Sequence, residues 1–178
     1  YKLTIPTIRA WCEYHGYILE VIDSLGEYSS PFWAKFQCYD YWEKHNADCI
    51  ILMDADILIK PNSPTPCDLQ PQSGVWAFDS MTLQYMVAKA QNQQKLFAQD
   101  YLNATGIELP ITQHYINSGV VVAWRDAADV YAPPLHESLV ITSGANGNES
   151  FGDQNLLNAR TFGRFHSLPR AFNFGHPQ

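Results

Sequence analysis

The run Ile50-Ile51-Leu52-Met53-Asp54-Ala55-Asp56 sets four apolar residues directly before two carboxylates. With Asp48 and Cys49 ahead of it, Asp48–Met53 is short, dense and nearly all apolar, as expected of a strand buried on both faces. In open α/β sheets ligands bind beyond the strand ends, so Asp54 and Asp56 are placed where a ligand would lie. In extended backbone, residues two apart project to one side, which predicts that both carboxylates address a single site. Two carboxylates that close repel unless a cation joins them, and hard oxygen ligands suit Mg²⁺ or Mn²⁺. An Asp-x-Asp is common by chance, so its weight comes from its position at the exit of an apolar strand.

Outward from this run, helix and strand patterns alternate. Towards the N-terminus, Thr4–His15 reads as a helix with an early Pro6 and a stop at Gly16, and Tyr17–Asp23 as a strand. Pro31 introduces a second helix over Phe32–His45. Towards the C-terminus, residues 60–74 hold four prolines and a glycine and read as a loop. Gly74–Asp79 reads as a strand, Leu83–Leu102 as a helix, and Ile116–Trp124 as a strand with a turn-like Asn-Ser-Gly near its start. Asp126–Val140 begins as a helix interrupted by Pro133–Pro134; residues 143–150 form a loop and Asp153–Arg160 a helix. This alternation predicts an α/β fold: a mostly parallel sheet flanked by helices on both faces.

Composition limits the partners. A net charge of −7 on 178 residues leaves no basic patch for nucleic acid. An acidic protein that binds a phosphorylated ligand needs help, and a divalent cation is the usual help. The longest strongly apolar runs, Cys49–Met53 and Val120–Trp124, are strand-sized, so no transmembrane segment is expected. The four cysteines lack CxxC spacing, and Cys12, Cys38 and Cys49 read as buried thiols. The scattered histidines His15, His45, His114, His136 and His166 show no ligand spacing. Most aromatics should be core, with Trp76, Phe78 and Trp124 the ones near predicted strand ends, where one or two could stack on a ligand.

Four segments in order resemble GT-A glycosyltransferases, most closely the group containing glycogenin and the bacterial lipopolysaccharide galactosyltransferases. They are Phe32-Trp33-Ala34-Lys35-Phe36, Leu52-Met53-Asp54-Ala55-Asp56-Ile57-Leu58, Tyr115-Ile116-Asn117-Ser118-Gly119-Val120-Val121-Val122 and Gly152-Asp153-Gln154-Asn155-Leu156-Leu157-Asn158. The resemblance covers roughly residues 30–175. It implies a single GT-A (Rossmann-like) domain over 1–178, a mostly parallel mixed sheet flanked by helices and expected to be cut short at both ends, and metal-dependent transfer of a hexose from a nucleotide-diphosphate sugar, with retained anomeric configuration. UDP-glucose and UDP-galactose lead as donors, with GDP-mannose also open, and the acceptor is a glycan, lipid or protein. By the same resemblance Asp54 contacts the donor ribose and the metal, Asp56 ligates the metal, and Lys35 lies near the donor phosphate or sugar. Asn117 and Ser118 would hydrogen-bond the donor sugar while Gly119 lets the backbone approach it. Asp153 and Gln154 would face the transferred sugar beside the reacting carbon.

Each assignment has a plainer counterpart: an amphipathic-helix lysine for Lys35, a simple turn for Asn117–Gly119, and helix capping for Asp153. The chain also departs from the family. It is expected to begin after the family's base-binding strand. Leu168-Pro169-Arg170-Ala171-Phe172-Asn173 matches a segment that precedes the family's metal histidine, which places that ligand beyond Gln178, with His176 the substitute within the chain. Two other readings compete. One is a phosphohydrolase of the haloacid-dehalogenase type with Asp54 as nucleophile. The other is a non-catalytic GT-A domain that binds nucleotide-sugar.

Overall fold

The computed structural model describes residues 3–28, 30–134 and 152–172. Helix α1 (Thr4–His15) buries Ile8, Trp11 and Cys12 on one face and ends where Gly16 takes the left-handed conformation (φ 72°). Helix α2 (Pro31–Ala34) tightens into a 3₁₀ stretch over Lys35–Tyr39, and α3 (Asp40–His45) completes the segment that the sequence presents as one helix. Strand β1 is Cys49–Met53, β2 is Val75–Asp79, α4 is Val87–Thr105 and β3 is Ile116–Trp124. A 3₁₀ segment (Arg125–Tyr131), helix α5 (Gly152–Arg160) and the short strand β4 (Phe165–Ser167) follow. No helix among the described residues is long and apolar enough to cross a membrane.

The four strands form one mixed sheet in the order β1-β3-β2-β4. The α/β class and the mixed sheet stand, but the expected predominance of parallel pairs does not. β3 runs antiparallel to both β1 and β2, and only the β2–β4 pair is parallel. β1, half-buried throughout rather than covered on both faces as expected, and the buried Val120–Ala123 stretch of β3 are apolar whatever their direction, so composition carries no sign of it.

One face of the sheet meets α2, α3, α4 and α5, where Trp33, Phe36, Phe97, Leu156 and Leu157 pack with Val121 and Ala123. The other face carries two smaller clusters. Val120, Val122 and Trp76 meet Leu168, while Ile51 and Met53 meet Ile8 and Trp11 of α1. At the start of β2, Gly74 is left-handed (φ 67°), and a Cβ there would lie 2.4 Å from the carbonyl oxygen of Arg164. Only glycine lets β2 and the lead into β4 approach this closely.

Tyr17–Asp23, expected as a strand, has no ladder partner among the described residues. It runs instead along a groove of about 1320 Å³, opposite β1, with Ile18, Leu19 and Ile22 on one wall and Cys49, Ile51 and Met53 on the other. Cys12 and Cys38 are buried as anticipated, but Cys49 is only half-buried. The expected loop at 143–150 and residues 135–140 of the expected helix lie outside the described residues.

Candidate functional site

Past Met53 the chain turns at once. The amide of Asp54 donates to the carbonyl of Gly119 on β3 (2.8 Å), and the amide of Ile57 returns to the carbonyl of Asp54 (3.1 Å). Thr4 at the start of α1 donates its hydroxyl to the carbonyl of Ala55, pinning the turn from the other face. Because Asp54–Ile57 is a turn, the alternation that would aim Asp54 and Asp56 alike does not apply. Asp54 points to Lys35, whereas Asp56 is exposed and makes no ion pair among the described residues.

On β3 the Asn-Ser-Gly sequence produces a bulge. Ala77 pairs with Val121 but Phe78 pairs with Asn117, so Ser118–Val120 are extra residues opposite β2. Asn117 Oδ1 accepts the amide of Gly119 (2.9 Å), a local turn that asparagine forms readily. A Cβ on Gly119 would sit 3.0 Å from that Oδ1 and 3.5 Å from Asp54 Oδ2, so glycine keeps the crossing tight. The bulge brings the Ser118 hydroxyl to Lys35 and Asp153, where it accepts from Lys35 Nζ (3.2 Å) and donates to Asp153 Oδ2 (3.4 Å).

Lys35 closes the cluster. Its ammonium lies 2.7 Å from Asp54 Oδ1 and 3.5 Å from Asp153 Oδ2, and its side chain is 15% exposed, which is not the state of a surface helix lysine. Asp153, in the first turn of α5, is 1% exposed. Burial pushes its carboxyl above the ordinary carboxylate range, with Asp54 adding to the push. Lys35 and the backbone amide of Gln154 pull the other way without cancelling it. One ammonium thus serves two carboxylates, one of them dry.

The position of Asp153 is set by two buried asparagines of α5. Asn158 Oδ1 accepts the amide of Ile116 (2.8 Å), and Asn155 Oδ1 accepts the Tyr115 hydroxyl (3.2 Å). Sequence reasoning gave neither asparagine a role. Polar residues beside Leu156 and Leu157, on a face that must be buried, were the available signal. Tyr131 gave none: its phenol is fully buried, pushed far up by burial and by the charges of Asp153 and Asp54, and unpaired among the described residues. Asp153 Oδ1 is likewise without a hydrogen-bond partner there.

The structure therefore brings together Lys35, Asp54, Asn117, Ser118, Gly119 and Asp153. Gln154 stands next to them, but among the described residues only its backbone bonds, its carbonyl accepting from Asn158 (2.7 Å). Trp76 and Phe78 are core residues, and Trp76 stacks on His166 with ring centroids 4.8 Å apart. His176 lies outside the described residues.

For a divalent cation the donor set is two carboxylates, Asp54 and Asp56. No group of three or more carboxylate, imidazole or thiol side chains meets among the described residues. Asp54 Oδ1 is held by Lys35 and Asp56 stands apart in solvent, so a Mg²⁺ or Mn²⁺ ion here would have at most these two carboxylates and would take its other ligands from waters and substrate phosphates. No protein-family model, curated protein or solved structure matches the chain.

Proposed function

We propose that the chain is a metal-dependent glycosyltransferase of GT-A type that transfers a hexose from a nucleotide-diphosphate sugar, with UDP-hexose the favoured donor. The observation that carries this reading is the convergence of Lys35, Asp54, Ser118 and Asp153, four residues from well-separated stretches, at the carboxylate end of β1. Among the described residues the buried Asp153 Oδ1 has no hydrogen-bond partner, and a sugar hydroxyl is a donor that would satisfy it. Lys35 and the exposed Asp56 border the groove beside this cluster, where a charged diphosphate would arrive.

In this reading each residue takes the following role. Asp153, held by α5, orients the transferred sugar through its hydroxyls. Ser118 fixes the Asp153 carboxyl through Oδ2 and leaves Oδ1 for the ligand. Lys35 balances the two carboxylates and stands ready to meet phosphate charge. By the resemblance Asp54 and Asp56 would supply the carboxylates for a Mn²⁺ or Mg²⁺ ion, Asp54 then giving up its contact with Lys35, and the ion when bound supplies positive charge for the leaving nucleoside diphosphate.

The test is isothermal titration of UDP into the protein with and without Mn²⁺, beside Asp56→Ala, followed by incubation with UDP-glucose and UDP-galactose. Binding that needs Mn²⁺ and disappears in Asp56→Ala is the expected result. Binding of GDP in place of UDP would change the donor and keep the reaction class. Failure to bind either nucleotide overturns the proposal. Hydrolysis of a simple phosphate ester, abolished by Asp54→Asn and without sugar transfer, would replace it with the phosphohydrolase.

A further inference from the structure

Cys49 opens β1, held in register opposite Trp124. Cys67 lies in a one-turn 3₁₀ helix, Pro66–Asp68, in the proline-rich stretch after the Asp54 turn. Their sulfurs are 3.3 Å apart, in contact but not bonded. A disulfide needs a separation of about 2.0 Å, a closure within the reach of small side-chain rotations. Both residues are half-buried, so a small oxidant can reach them, whereas Cys12 and Cys38 are buried.

We propose that Cys49 and Cys67 are a redox-active pair that closes reversibly to a disulfide, stapling the start of β1 to the segment beyond the Asp54–Asp56 turn. The inference stands on the sulfur geometry and does not depend on the proposed donor chemistry.

The surroundings of Cys67 hold it in place for this. Its amide donates to Thr65 Oγ1 (3.1 Å), its carbonyl accepts from Gln72 Nε2 (3.2 Å), and Thr65 Oγ1 is itself bonded to the Tyr17 hydroxyl (2.7 Å). The contact with Cys49, helped by the neighbouring Tyr17 and Thr65 hydroxyls, holds the Cys67 thiol below its ordinary value although burial opposes it. The same contact, with burial, pushes Cys49 up. Burial also raises Cys12 and Cys38. Cys67 is thus the attacking sulfur and Cys49 the resolving one.

The chemistry balances with a low-molecular-weight disulfide such as glutathione disulfide as oxidant. The Cys67 thiolate attacks one glutathione sulfur, the glutathione S–S bond breaks, and one glutathione thiolate leaves. Cys49 then loses its proton to solvent and attacks Cys67 Sγ, which expels the second glutathione. Two protein thiols are oxidised and one glutathione disulfide is reduced to two thiols.

The test incubates the folded protein in glutathione buffers of rising oxidised fraction. Free thiols are trapped with N-ethylmaleimide and the protein is mapped by mass spectrometry. The expected product has lost two thiols and the mass of two hydrogens, carries no glutathione and yields a Cys49–Cys67 linked peptide. Its melting temperature is several degrees above that of the reduced protein, because the two cysteines lie 18 positions apart and the closed loop restricts the unfolded chain. Cys67→Ser abolishes the linked peptide. A stable glutathione adduct on Cys67 with Cys49 still alkylated overturns the proposal. So do four alkylated cysteines under oxidising conditions, or a Cys38–Cys49 link, which is nearer in sequence and would form in an unfolded chain.

Discussion

Lys35 sits between two carboxylates in unlike surroundings: Asp54, 36% exposed, and Asp153, 1% exposed. Removing the ammonium leaves Asp153 charged and dry, while solvent screens most of the loss at Asp54. Lys35→Met is therefore expected to lower stability by about 3–5 kcal/mol near neutral pH. The deficit depends on pH in a fixed direction. Asp153 already titrates above its ordinary 3.8, and losing Lys35 raises it further. A carboxyl raised by the fold favours the native state fully below its unfolded value and loses that contribution as pH rises through the folded value. Urea unfolding should thus find Lys35→Met closer to the parent at pH 5 than at pH 8, and Lys35→Met/Asp153→Asn should recover most of the loss. A deficit unchanged by pH or by the second substitution would place the weight of Lys35 elsewhere. At this scale the grouping of Lys35, Ser118 and Asp153 with Asp54 was anticipated through a family resemblance, since the local reading of each was only a helix lysine, a turn or a cap. The aim of Asp56 was not, since a turn that begins one residue early undoes strand alternation. Tyr131 was invisible, because nothing local marks a tyrosine whose hydroxyl finds no partner among the described residues.

Elements with an internal period were the readable ones. α1 was legible from its apolar face and its terminal glycine, and β1 and β3 from apolar runs of strand length. Strand β4 is three residues long and exists through its pairing with β2, a non-local fact. The same non-locality explains why Tyr17–Asp23, strand-like in composition, forms none. β4 and α5 are joined to β3 through His114, whose ring stacks on Phe165 (centroids 4.1 Å apart, 12° between planes) and whose Nε2 meets Thr161 Oγ1 at 2.9 Å. Burial holds this imidazole below its ordinary 6.5, and Asp79 opposes only in part. A histidine depressed by the fold stabilises the native state above its unfolded value, and that contribution is lost as pH falls through the folded value. Acidification below about pH 6.5 should therefore weaken this junction, by at most about 1.4 kcal/mol per pH unit for one proton. His114→Phe keeps an aromatic ring against Phe165, and Thr161 retains its bond to the Asn158 carbonyl. The variant should lose stability less steeply on the acid side than the parent. An imidazole that titrates at or above 6.5 by NMR would contradict the burial.

Over the whole molecule, strand direction is what the sequence could not convey. A strand covered on both faces reads the same whichever way it runs, so the antiparallel insertion of β3 between β1 and β2 left no trace in composition. That insertion also decides which side of β1 is open. The register pairs Ile50 with Ala123 and Leu52 with Val121. The bonds Asp54 N–H to Gly119 and Arg125 N–H to Asp48 bracket the same series, so the even-numbered residues of β1 direct their backbone groups to β3. Cys49, Ile51 and Met53 then direct theirs into the groove faced by Tyr17–Asp23, where no ladder forms among the described residues. An exposed edge of this kind is open to pairing with another strand. Amide exchange followed by NMR can read the pattern along a single strand. Ile50, Leu52 and Asp54 should exchange slowly, while Ile51 and Met53, their immediate neighbours, should exchange faster by about a hundredfold or more. Equal protection at all five positions would mean that in solution the groove side of β1 is closed by a fifth strand, supplied by this chain or by a second copy of it.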